Sequence, residues 1–164
     1  MNADEVRIEP AAEPDAGEIL TVQRAAYLAE AQLYGDPFIP PLVESYAQVA
    51  KALAGDSVVL KAVRDGRLVG AVRARFNERT CLVGRLVVAP DLQGRGIGGR
   101  LMRELEERVA GRTDACVLFT GHLSDGNLRL YRRLGYAETR RERVADHLIL
   151  VHMRKVLVPA SSAG

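Results

Sequence analysis

The segment Val87-Val88-Ala89-Pro90-Asp91-Leu92-Gln93-Gly94-Arg95-Gly96-Ile97-Gly98-Gly99-Arg100-Leu101-Met102 constrains the fold more than any other, because it joins a β-branched strand to a helix start through a glycine-rich turn. The first amides of a helix have no intrahelical acceptor, and their dipoles leave that end partly positive. Glycines at 94, 96, 98 and 99 permit positive φ angles and, lacking Cβ, let an anion approach those amides. Arg95 and Arg100 add formal positive charge. Such a junction is suited to holding phosphate.

Gly94, Gly96 and Gly99 satisfy the G-x-G-x-x-G dinucleotide fingerprint taken literally. That fingerprint also needs an acidic residue about 20 positions on, at the end of a second strand, to hold a ribose. Here the next strand, Cys116-Val117-Leu118-Phe119-Thr120, ends without a carboxylate. A Walker A loop is excluded as well, since no Lys-Ser or Lys-Thr pair follows the glycines.

The hydrophobic periodicity places this junction within a β-α-α-β-β-β-α-β-α-β-β order. A short strand at Val6–Glu9 precedes a helix opened by Pro14-Asp15, with Ile19, Leu20, Ala26 and Tyr27 on its apolar face. Gly35 to Pro41 breaks it, and a second helix is expected from Leu42 to Leu53. Strands Ser57–Arg64 and Arg67–Phe76 flank Asp65-Gly66, a tight hairpin turn, and a further turn leads into Cys81–Ala89. Ile97, Leu101, Leu105 and Val109 give the next helix a single apolar stripe. Strand Ala115–Thr120 is then the parallel neighbour of Cys81–Ala89, by a crossover connection. Helix Ser124–Leu134, strands Glu138–Val144 and His147–Val156, and a frayed tail at 159–164 complete the chain.

With 164 residues, 48% of them hydrophobic, the chain is read as one domain over 1–158 with its own core. A net charge of +2, with 27% charged residues of both signs, gives no reason to expect nucleic-acid binding. Cys81 and Cys116 lack metal or redox spacing and read as small buried hydrophobes, so no metal is expected. Neither a signal-like N-terminus nor a membrane-spanning apolar run is present, so the reading is a cytoplasmic protein with no membrane partner.

Gln93-x-x-Gly96-x-Gly98, preceded by Pro90-Asp91, resembles the coenzyme A loop of the GNAT (GCN5-related) N-acetyltransferases. Leu128-Arg129-Leu130-Tyr131-Arg132-Arg133-Leu134-Gly135-Tyr136 is similar to that family's second signature, L-Y-x-x-x-G-F/Y, and the likeness covers roughly residues 4–158. The resemblance implies an α/β (α+β) GNAT fold, a mixed, mostly antiparallel sheet of about six or seven strands flanked by about four helices. It also implies splayed fourth and fifth strands with the pantetheine arm of acetyl-CoA lying between them.

Carried onto this chain, the resemblance assigns the donor site to Leu86, Val87 and Val88 on the strand and to Gln93, Gly94, Arg95, Gly96, Ile97, Gly98 and Gly99 in the loop. Tyr131 becomes the acid that protonates the departing thiolate, against the plain alternative of a half-buried aromatic beside Leu130 and Leu134. The family's asparagine seven residues before this tyrosine is Ser124 here, which can replace that contact or merely cap the helix; Asn127, one turn from Tyr131, is a second candidate. The fifth strand also lacks the glutamate that some members use as base. His122 at its exit is the candidate base, and an ordinary loop histidine is the equal alternative. Tyr27, Tyr34 and Phe38, with Glu30, Asp36 or Glu44, are candidates to receive a cationic amine.

The implied activity is acetyl transfer from acetyl-CoA to a primary amine of a small molecule or peptide, by direct attack in a ternary complex and without a metal. The alternative is an acyl-CoA-binding regulatory module of the same fold. The terminal strands leave room for a homodimer.

Overall fold

The computed structural model describes residues 5–157, so the tail expected at 159–164 lies outside the described residues. Seven strands form one sheet in the order β1-β2-β3-β4-β5-β7-β6. They are β1 (Arg7–Pro10), β2 (Val58–Arg64), β3 (Arg67–Asn77), β4 (Thr80–Val88), β5 (Ala115–Gly121), β6 (Ala137–Ala145) and β7 (Leu148–Val156). All neighbours are antiparallel except β4 and β5, the pair linked by the crossover helix. Asp65 and Gly66 both take positive φ, 50° and 71°, as the tight hairpin between β2 and β3 requires.

Five helices are present among the described residues: α1 (Ala16–Tyr34), α2 (Pro40–Val43), α3 (Tyr46–Ala54), α4 (Ile97–Val109) and α5 (Asp125–Arg133). The single helix expected over 42–53 is corrected to two. Pro40 and Pro41 start a short first helix, and Ser45 then starts another: its hydroxyl accepts from the Gln48 amide at 3.2 Å while the Gln48 side chain accepts from the Ser45 amide at 2.8 Å. Glu44 falls at this break.

One sheet face is covered by α1 and α3, where Ile19, Leu20 and Val49 pack on Val59, Ala71 and Val87. The other face carries α4 and α5. Leu101, Met102 and Leu105 of α4 are fully buried there, and each such burial contributes about 1.5–3 kcal/mol. β6 forms the outer edge and is exposed along almost its whole length. Its alternating Glu138, Arg140, Glu142 and neighbouring arginines discourage pairing with another chain's edge.

The sheet opens at its centre. β4 and β5 pair over Thr80–Leu82 and Ala115–Val117 alone, after which β4 stays with β3 and β5 stays with β7. A bulge reinforces the parting: Ala71 faces Val87 but Arg73 faces Gly84, so Arg85 and Leu86 lie opposite a single β3 residue. Arg85 has φ of 52°, which costs a side-chain-bearing residue about 1–2 kcal/mol. The extra residue changes which face the following side chains use. Leu86 and Val88 join the α4 side, whereas Val87 is buried against α1.

Candidate active site

At the end of β4 the chain enters a 3-10 turn, Pro90–Leu92, anchored by the buried Leu92. Arg67 clamps this turn from the start of β3, donating to both Asp91 carboxylate oxygens at 2.8 Å. Those bonds hold the Asp91 carboxyl down at about 2. Gln93 folds back and donates from Nε2 to the Val88 carbonyl at 3.2 Å. Gly94 and Gly96 take φ of 79° and 82°, a region that only glycine enters freely, and Gly96 caps α4. The first backbone bond into α4 runs from the Arg100 amide to the Gly96 carbonyl at 3.1 Å, so the amides of Ile97, Gly98 and Gly99 precede the helix's own bonding. Gln93, Gly94, Arg95 and Gly96 are exposed. Ile97 packs its side chain into the core and can offer a ligand only its backbone.

Where β4 and β5 part, a cavity of about 720 Å³ opens, within the size range of small-ligand sites. Leu82 to Leu86 form its β4 wall and Leu118 to Gly121 its β5 wall. Tyr131 enters from α5, its ring edge-on to Tyr136 at 6.0 Å and its side chain buried. Burial, with Tyr27 and Glu30 adding negative potential, pushes its hydroxyl far above the ordinary phenol value, so it stays protonated. Asn127, one turn earlier, lines the cavity and donates to Thr120 Oγ1 at 3.3 Å, tying α5 to β5.

The opposite wall comes from α1. Ser124 and Glu30 are 2.6 Å apart (Oγ to Oε2), and Tyr34 and Ser124 are 2.7 Å apart through their hydroxyls. Since Ser124 has one hydroxyl proton and gives it to the acceptor-only Glu30 carboxylate, the order of donation is fixed: Leu123 amide to Tyr34 at 3.0 Å, Tyr34 to Ser124, Ser124 to Glu30. Tyr34 approaches β5 so closely that a Cβ at Gly121 would overlap its ring, so that position must be glycine. Glu30 lines the cavity with Oε1 engaged by no described partner.

Residues 25–157 match the family profile of an acetyltransferase (GNAT) domain. The chain belongs to the GNAT family. Its fold is that of solved GNAT structures, each of low sequence identity. The ribosomal-protein-S18-alanine N-acetyltransferase of Escherichia coli superposes with a TM-score of 0.80 at 16% identity, over 98% of this chain and 99% of that one. YncA of Salmonella typhimurium, a putative acetyltransferase solved with acetyl-CoA, gives 0.75 at 19% over 99% of both chains. The PaiA N-acetyltransferase of Thermoplasma acidophilum, solved with coenzyme A, gives 0.74 at 17%, over 93% of this chain and 99% of that one. Among curated proteins, UPF0157 protein YqkA of Bacillus subtilis (strain 168) is 27% identical over 135 residues, 82% of this chain, and the match spans 38% of that protein's length.

Within this GNAT frame, the residues singled out by sequence separate into three groups. The loop and Leu86, Tyr131 and Asn127 lie along the parted strands and the turn that follows them. Ser124 stands at the N-cap position of α5, but its hydroxyl makes no capping bond and it is not among the cavity-lining residues; the side chain is buried in the bonding chain to Glu30. His122 accepts the Ile149 amide on Nδ1 at 3.0 Å, which leaves its ring hydrogen on Nε2, and it is not among the cavity-lining residues. Of the acceptor candidates, Tyr27, Tyr34 and Glu30 line the cavity. Phe38 points into solvent, 76% exposed, and Asp36 meets His147 Nε2 at 2.9 Å.

Sequence reasoning missed the arginines. Arg73, Arg75 and Arg85 all line the cavity. Arg73 donates to both oxygens of Glu44, at 3.1 and 2.6 Å, and Gln23 donates to the same carboxylate at 3.0 Å. Burial works to raise the Glu44 carboxyl, but Arg73, Gln23 and Arg85 together hold it below its ordinary value. Arg85 reaches Glu44 at 3.5 Å, and its buried Nε has no acceptor among the described residues. The available signal was the polar alternation Arg73-Ala74-Arg75 inside an apolar strand, and Gly84-Arg85 interrupting the next one.

Proposed function

We propose that the protein is an N-acetyltransferase that moves the acetyl group of acetyl-CoA to a primary amine, by direct attack within a ternary complex. One observation carries this reading: β4 and β5 part to form a cavity that holds the buried Tyr131 hydroxyl, and β4 leads from that cavity straight to the exposed amides of the glycine loop. The backbone of Leu86, Val87 and Val88 would hold the pantetheine arm as an added strand, with Asn127 beside it. Gln93, Gly94, Arg95, Gly96, Ile97, Gly98 and Gly99 would hold the pyrophosphate through their amides and the Arg95 charge. Acetyl-CoA supplies the activated thioester.

The chain's own groups divide the remaining work. Glu30 receives the proton of the attacking amine on the cavity side, and Ser124 and Tyr34 fix the orientation of that carboxylate. A β4 amide near Val87 or Val88 polarises the thioester carbonyl, a contribution of about 2.7–4 kcal/mol for one well-placed donor. As the C–N bond forms and the C–S bond breaks, Tyr131 gives its phenolic proton to the sulfur. His122 has no part in this scheme, because its Nδ1 lone pair holds β7 through Ile149.

The test begins with binding. Acetyl-CoA at about a hundred times its Kd should stabilise the protein by about 2.7 kcal/mol, raising Tm by roughly 5–10 °C, while NAD and ATP should leave Tm unchanged. Release of free thiol on adding amines then shows turnover. Stabilisation by NAD and not by acetyl-CoA would overturn the proposal; stabilisation without thiol release would favour a binding module.

A further inference from the structure

The proposed transfer leaves a set of basic groups in the cavity without a task. Arg73 and Arg75 alternate along β3, so both project toward the face that carries α1, and Arg85 joins them from the β4 bulge. Arg73 is fully engaged by Glu44. Arg85 is not: its contact with the same carboxylate is 3.5 Å, longer than a charge-assisted hydrogen bond. Arg75 is exposed at the cavity wall and has no ion pair among the described residues. Three guanidinium groups therefore face two carboxylates, Glu30 and Glu44, and the surroundings are net positive.

That balance bears on the acceptor. A simple cationic amine entering the cavity would meet excess positive charge, whereas an amine carrying its own anionic group would offset it. The guanidinium fork is planar and suits a carboxylate. The structure already displays the arrangement, since the Glu44 carboxylate sits between Arg73 and Arg85. Tyr27 links this cluster to the proposed reaction centre: its hydroxyl is pushed up to about 12 by burial, with Arg85, Glu30, Arg73 and Glu44 acting on it in turn. Arg73, Arg75 and Arg85 line the same cavity as Tyr27, Glu30 and Tyr131.

We infer that Arg85 and Arg75, braced by the Arg73–Glu44 pair, form a carboxylate subsite, and that the acceptor is an amine that also bears a carboxylate, of the amino-acid type. The inference rests on the proposed acetyl transfer and adds the class of acceptor. The strained backbone at Arg85 fits this role, because the bulge delivers that side chain to the acceptor side of β4.

The experiment compares matched acceptors by thiol release: amino acids, their carboxamides, the corresponding decarboxylated amines, and an aminoalkyl phosphate. Carboxylate acceptors should show a kcat/KM about 10–100-fold above their carboxamides, the range set by hydrogen bonds to charged groups. Arg75→Gln should raise KM for carboxylate acceptors and leave KM for carboxamides in place; Arg85→Gln should do the same more strongly. Arg75 is exposed, so its variant keeps the test valid if Arg85→Gln fails to fold. Equal or better use of the decarboxylated amines, or preference for the phosphate, would overturn the inference. If no acceptor turns over, amino acids must still add a thermal shift in the presence of coenzyme A, and absence of that shift also overturns it. The acetyl-CoA thermal shift, measured separately, shows whether the underlying acetyl-transfer reading has failed instead.

Discussion

The glycine loop after β4 offers backbone amides from one continuous stretch, whereas the opposite end of the cleft gathers side chains from α1, the break before α3, β3 and the β4 bulge. The first needs the right φ angles and an absence of Cβ atoms. The second needs distant segments to arrive together. A site built from backbone therefore tolerates changes of side chain except where a positive φ calls for glycine, as at Gly94 and Gly96, while a site built from side chains changes its chemistry with single substitutions. The division matches the proposed roles: one end holds a donor common to the whole GNAT family, the other selects the acceptor.

The sharpest way to separate chemistry from binding is Tyr131→Phe, which removes one oxygen from the cavity and keeps the packed ring. Loss of a general acid commonly costs about 10²–10⁴-fold in rate, so kcat should fall by about that factor. The thermal shift given by acetyl-CoA should persist, because no residue of the loop is altered. A variant with full kcat would remove Tyr131 from the acid role.

A smaller effect, with the opposite signature, is expected at the donor end. Gly96 caps α4 with φ of 82°, where an alanine would be strained by about 1–2 kcal/mol. Gly96→Ala should weaken acetyl-CoA binding by about tenfold as the loop shifts to relieve that strain, with kcat at saturating donor largely kept. Equal falls in both parameters would show that the loop also controls the chemical step.

These two ends were not equally legible in the sequence. The loop could be read because its function lies in consecutive residues: the glycines at 94 and 96 have the positive φ they advertise, and Ile97, Leu101, Leu105 and Val109 are all buried as their spacing requires. The succession of strands along the chain and the parallel β4–β5 pair followed from the same local patterns, whereas the placement of β7 between β5 and β6 had no local mark. The acceptor end was hidden for a physical reason. Its geometry depends on two local irregularities, the Glu44–Ser45 break and the Arg85 bulge, each of which turns a charged side chain inward. The Ser45-x-x-Gln48 capping signature was present to be read; the bulge had no comparable mark beyond Gly84. His122 shows a further limit. Its neighbours in sequence reveal the strand exit, but only the fold shows that Ile149 occupies its Nδ1.

The mildest test concerns the charge that holds the acceptor end together. The Glu44 carboxyl is held below its ordinary 4.5 in the folded protein, so folding favours its ionised form. Linkage then sets the sign: the stabilisation is fully present above about pH 4.5 and is lost as pH falls through the lowered folded value. Glu44→Gln removes this titration while keeping a hydrogen-bonding side chain against Arg73. Above about pH 5 the wild type should melt a few degrees higher than the variant, about 2–4 °C for each kcal/mol in a protein of this size. The gap should close on acidification below about pH 4.5. A gap that stayed constant across this range would mean that Glu44 contributes by shape alone, and that Arg73 does not depend on its charge.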